Sequence, residues 1–141
     1  MNKPTTSETT VSSSDNEQIR DLLLRWAETT RKGQLDDVLD NHAADAVIFD
    51  VLPPMKYEGT DAYRKSWGEW QPNTIEMGHF DIHELKITAG QDVAFAHCFI
   101  LCAGTLESGK QFEDWVRATF CLQKINNRWL VEHQHISMPR K

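Results

Sequence analysis

The chain has 141 residues, 40% of them hydrophobic, enough for one core and one domain and too little for two. Its 15 basic and 21 acidic residues give a formal charge of −6, with no Lys/Arg block to follow a phosphate backbone or an anionic lipid surface, so nucleic acid and membrane are excluded as expected partners. No apolar stretch approaches the roughly 20 residues of a membrane-spanning helix, and the N-terminus lacks the apolar core of a signal peptide.

Residues 1–14 are mostly Ser and Thr around a single interior apolar residue, Val11, and are expected to form a disordered leader. Ser14 and Glu17 are spaced as a capping box, and Ile19, Leu22, Leu23 and Trp26 recur at helical spacing, which predicts a helix from about 15 to 32, stopped by Gly33. Leu35, Val38, Leu39 and His42 predict a second, shorter helix ending near Asn41–His42. A short strand over 45–50 follows, then a loop containing Pro53–Pro54. Thr60 is a candidate cap for a third helix whose Tyr63, Trp67 and Trp70 share a face, broken at Pro72–Asn73. From residue 78 the pattern alternates as in strands, with turns at 89–92, 107–110 and 126–127, giving four long strands joined by hairpins. Helices followed by an antiparallel sheet make an α+β layout in one domain, 15–141. Cys98, Cys102 and Cys121, odd in number and set in apolar strand-like runs, read as small hydrophobes in a reducing, cytoplasmic setting.

Asp50 is the leading catalytic candidate: a carboxylate closing the apolar run Ala46-Val47-Ile48-Phe49 just before a proline-rich loop is placed as a base at the edge of a pocket. On the strand 112–123, Arg117 falls between Trp115 and Thr119 on one face. It either pairs with Asp50, Glu113 or Glu132 or anchors an anionic substrate oxygen. The last strand places His133 and His135 on one side, and a one-residue shift of register exchanges its two faces. His135 is taken as a second acid or base. Trp26, Tyr57, Trp67, His97 and Trp115 are candidate substrate-binding residues in an aromatic cavity, while His79 and His83 read as a solvated edge. His-x-His without a supporting ligand signature argues against a metal, and the absence of a nucleophile elbow, phosphate loop or dinucleotide fingerprint leaves no cofactor expected.

The order of these elements, with the strings Leu22-Leu23-Leu24-Arg25-Trp26, Ala43-Ala44-Asp45-Ala46-Val47, Pro53-Pro54-Met55-Lys56-Tyr57-Glu58-Gly59, Trp115-Val116-Arg117-Ala118-Thr119 and residues 128–137, resembles the SnoaL-like, ketosteroid-isomerase-like branch of the NTF2-like superfamily over about 15–139. The resemblance implies a cone: a curved sheet wrapped around the helices, a pocket in the open end, and commonly a dimer through the outer face of the sheet. Members include isomerases, cyclases, dehydratases, epoxide hydrolases and noncatalytic association domains. Asp50 matches the base of true ketosteroid isomerases. Trp26 and approximately Arg117 occupy the positions of their oxyanion-hole Tyr and protonated Asp, so that hole is not reproduced. The reading is proton-transfer chemistry on a small, partly apolar molecule by Asp50, Arg117 and His135. The alternative is a noncatalytic dimeric binding or association module. Apolar residues on both sheet faces, with helices to cover only one, predict a homodimer.

Overall fold

The computed structural model describes the backbone of residues 2–70 and 74–140 and the side chains of residues 15–66 and 77–140. The stripe Ile19, Leu23, Trp26 and Ala27 is buried along one face of helix α1 (Asn2–Lys32). The helix ends at Gly33, φ 72°, with Gln34 N–H donating to Thr29 O and Gly33 N–H to Thr30 O, the paired bonds of a glycine-terminated helix.

At its other end, α1 has helical backbone from Asn2, ahead of the start near residue 15 that the capping box predicted. Once a packed helix exists, each added residue gains a backbone bond without a new nucleus, and Pro4 sits in the first turn, where no intrahelical N–H bond is lost. Asp15, at the expected start, ties α1 to the sheet. Its Oδ1 accepts from Lys124 Nζ at 2.9 Å and from Trp129 Nε1 at 3.3 Å. The Lys124 hydrogen bond, helped by Trp129 and opposed by burial, holds the Asp15 carboxyl below its ordinary value. Asp15→Asn is therefore expected to cost about 1 kcal/mol in urea unfolding at pH 7. The depressed value means that this contribution is present above the unfolded carboxyl's pKa and lost as pH falls through the folded one, so wild type and variant should converge in acid.

A single turn, α2 (Leu35–Val38), leads into β1 (His42–Phe49), which starts where the second helix was expected to end. β2 (Tyr57–Glu58), α3 (Thr60–Trp70), β3 (Thr74–Ala89), β4 (Val93–Leu106), β5 (Gln111–Ile125) and β6 (Arg128–Ser137) follow. The expected α3 stop at Pro72–Asn73 lies outside the described residues. Gly59 joins β2 to α3 at φ 91°, where a Cβ would meet Ala44 O at 3.2 Å, so both conformation and space require glycine. Asn126 and Asn127, both at positive φ, close the β5–β6 hairpin.

The strands form one curved sheet in the order β2-β1-β6-β5-β4-β3, all neighbours antiparallel except β1 with β6. One inner row crosses all six strands: Ile87, Ala96, Phe120, Gln134, Ile48, Tyr57. Trp26 of α1 lies edge-on to Phe120 at 5.0 Å and to Phe80 at 5.3 Å, so this face is packed on the helix. β6 changes phase partway. Cys121 pairs with His133 and Leu122 with Val131, leaving Glu132 as a bulge, so the buried residues are Trp129 and Val131 before it and Gln134 and Ile136 after it. No described helix is long and apolar enough to cross a membrane.

Candidate functional site

Asp50 follows β1 in phase with the buried Ala46 and Ile48, and so extends the inner face by one carboxylate. Its Oδ2 accepts from the Tyr63 hydroxyl at 3.0 Å, and its Oδ1 accepts from Val51 N–H at 2.7 Å. Burial raises the Asp50 pKa above its ordinary value, against the downward pull of those two donors. Tyr63 is buried on α3, its ring edge-on to the buried Tyr57 at 5.2 Å. The result is a carboxylate in an aromatic, largely dry setting, bonded on both oxygens yet with no cation beside it among the described residues.

The inner ends of β3, β4 and β5 carry Phe80, Cys102 and Asp114 as successive cross-strand partners. Burial pushes the Cys102 thiol up to about 12, and the carboxylates of Asp114, Asp50 and Asp81 add to the rise. Cys98, further in, is pushed up to about 11 by burial alone. Both thiols are therefore protonated and unreactive near neutral pH. Asp114 is the cross-strand partner of Cys102 and shares its inner face.

Of the residues expected at a site, Asp50, Trp26 and Tyr57 lie on this inner face. The side chain of Trp67 lies outside the described residues. Arg117, His135, His97 and Trp115 are not brought together with them: all four are exposed on the outer face, with the sheet between them and Asp50. The reason is the alternation of β5, which packs Val116, Ala118, Phe120 and Leu122 toward α1 and leaves the guanidinium in water, where its charge needs no buried partner. Arg117 Nε donates to Ser137 Oγ at 3.1 Å, and among the described residues it pairs with none of Asp50, Glu113 and Glu132. Trp115 packs 5.0 Å from the His83 ring. His133 and His135 meet the Phe49 ring at 4.7 and 5.2 Å, and His133 Nδ1 donates to Val47 O at 2.7 Å. The inward residue between them is Gln134, fully buried, whose Oε1 accepts from His42 Nε2 at 2.8 Å.

Three inner-face residues escaped the sequence reading. Asp114 shares the phase of the apolar Val116–Leu122 set, a signal present in the alternation. Cys102 was read only as a small hydrophobe. Tyr63 was legible as a helix-face aromatic, although nothing local connects it to a carboxylate thirteen positions earlier. Among the described residues no three His, Cys, Asp or Glu side chains converge as a metal site needs.

An NTF2-like protein of unknown function from Pseudomonas putida KT2440 is 27% identical, with a TM-score of 0.81 over 92% of this chain and 89% of that one. A candidate dehydratase of the NTF2-like family from Streptomyces avermitilis shares the fold at 15% identity, TM-score 0.79, covering 92% and 99% of the two chains. A candidate calcium/calmodulin-dependent protein kinase II association domain from Xanthomonas campestris does so at 18% identity, TM-score 0.73, covering 87% and 86%. No curated protein matches. The SnoaL-like domain family matches residues 19–141, nearly the whole described fold, and the chain belongs to that family, within the NTF2-like superfamily.

Proposed function

We propose that this chain is a small-molecule enzyme that moves a proton between carbon and oxygen positions of a neutral, partly apolar substrate, in an isomerisation, cyclisation or dehydration, with Asp50 as the base. The observation that carries the reading is the Asp50 carboxylate itself: raised in pKa by burial, oriented by Tyr63 and Val51, and flanked by aromatic rings. With Arg117 and His135 outside, no charged donor stands beside Asp50 among the described residues, and the Tyr63 hydroxyl, which gives its one proton to Asp50 Oδ2, serves to orient the base. Val51, Leu52 and Met55, exposed on the loop after Asp50, suit an apolar substrate body. Similarity to a candidate dehydratase is consistent with this chemistry and carries the fold only.

The test is exchange of solvent deuterium into a panel of enones, β-hydroxy ketones and lactones, followed by NMR. Wild type should exchange at least one of them, and Asp50→Asn should slow that exchange by about 10²- to 10⁴-fold. Equal rates in the two proteins would remove Asp50 from the mechanism.

The second reading, a noncatalytic association module, is favoured by the apolar side chains on the outer face. Under either reading we propose a two-fold homodimer joined sheet to sheet. Ligands that raise the melting temperature while no compound exchanges would favour a binding role.

A further inference from the structure

A groove of about 360 Å³ lies between α1 and the β5–β6 hairpin, at the end of the fold where β1 and β6 begin and Asp50 is farthest away along β1. Asp21, Leu22 and Arg25 of α1 line one side and Asn127 and Arg128 of the hairpin the other, with Asn41 just ahead of β1. Leu22, Arg25 and Asn41 also line an inner cavity of about 10 Å³, which reaches Trp26, Val38 and His42. The inner space has room for about one hydroxyl-sized group.

His42 is the buried polar residue of that inner space, 8% exposed. Its Nε2–H donates to Gln134 Oε1 at 2.8 Å, so Nδ1 carries a lone pair, and that atom is buried without a hydrogen-bond partner among the described residues. Such an acceptor, left unpaired, costs the fold its full desolvation penalty, and a donor that enters from the groove recovers it. The groove itself mixes charges. Arg25 Nη2 lies 3.6 Å from Asp37 Oδ1 and 3.8 Å from Asp40 Oδ2, while Arg128 Nη2 donates to Asn41 Oδ1 at 3.0 Å and keeps its other N–H groups for the groove. Arg25 and Arg128 are thus matched by Asp21 and Asp37 in the lining, with Asp40 beside them.

From this arrangement we propose a second ligand site, separate from Asp50, that takes a small neutral molecule with several hydroxyls, a polyol or a monosaccharide. One hydroxyl enters the inner cavity and donates to His42 Nδ1, and the others lie in the groove, accepting from Arg128 and donating to Asp21. The charge balance selects this class: an anion meets Asp21, Asp37 and Asp40, a cation meets two arginines, and an apolar molecule leaves all of these groups and the His42 acceptor unpaired. A hydroxyl both donates and accepts, so a set of them can answer mixed amide, guanidinium and carboxylate partners.

The test is NMR titration of the ¹⁵N-labelled full chain with glycerol, D-ribose and D-glucose, and separately with D-lactate and inorganic phosphate. At least one of the three neutral compounds should shift the Trp129 indole and the Asn41 and Asn127 amide signals saturably. Arg128→Gln should weaken that binding about 10-fold or more, and so should the paired His42→Leu, Gln134→Leu variant, each checked by circular dichroism. Asp50→Asn should bind as wild type does, whatever its effect on turnover. No saturable shift with any neutral compound would overturn the site, and saturation by lactate or phosphate alone would overturn the ligand class. Unchanged affinity in a folded paired Leu variant would overturn the inner-cavity contact. Should that variant fail to fold, unchanged affinity in Arg128→Gln would overturn the site.

Discussion

Asp50→Asn is expected to stabilise the fold while removing the activity. The carboxyl's folded pKa is raised, so its protonated form is the one the fold prefers. Its stabilising contribution is complete below the unfolded value of 3.8 and lost as pH rises through the folded value, so at pH 7 wild type bears the full cost of a buried charge. Asparagine removes the charge and still accepts one of the two hydrogen bonds, and the Tyr63 hydroxyl can rotate to accept from the amide. A gain on the order of 1 kcal/mol at pH 7, shrinking toward zero near pH 4, is expected from thermal unfolding across that range. A variant less stable than wild type at pH 7 would mean that the hydrogen bonds outweigh desolvation, and that Asp50 is held as a structural anion. The opposite signs on stability and turnover separate a base kept for chemistry from a carboxylate kept for the fold.

How far the sequence reached is best judged strand by strand. Alternation placed Val116, Ala118, Phe120 and Leu122 opposite Trp115, Arg117 and Thr119, as observed, but the choice of inner face followed the odd residue, Arg117, instead of the most continuous apolar set. A guanidinium is cheapest in water, and that preference decides the orientation. Asp50 stood out in the sequence as a carboxylate closing an apolar run before a proline-rich loop, and in the structure it continues the phase of Ala46 and Ile48 past the end of β1. β6 was not, because a single extra residue, Glu132, reverses the phase of everything after it and no local signal marks the bulge. The start of α1 at Asn2 was not legible from the capping box at Ser14 and Glu17, because a cap marks where a helix can begin and not how far an existing helix propagates.

The same bulge leads to the second large effect, the His42–Gln134 pair. Between His42 and Val47 the register of β1 slips against Val131 and His133 of β6, and the bond from His42 Nε2 to Gln134 Oε1 bridges that irregularity inside the core. His42 Nδ1 and Gln134 Nε2 find no partner among the described residues, so the pair is only half satisfied. Gln134→Leu should strand the His42 N–H, and His42→Leu both ends of the Gln134 amide, each at a cost of about 1–3 kcal/mol in urea unfolding. The double Leu variant removes every orphan at once and should lie within about 1 kcal/mol of wild type, far from the sum of the single costs. Additive losses would mean that the space around the pair cannot accept apolar side chains and that shape, not polarity, fixes these residues. Acid supplies an independent check. Burial, opposed by the Gln134 bond, lowers the His42 pKa, so the pair's stability is complete above the unfolded value of 6.5 and falls as pH drops below it. Part of the wild-type loss between pH 7 and 5.5 should therefore vanish in the double variant.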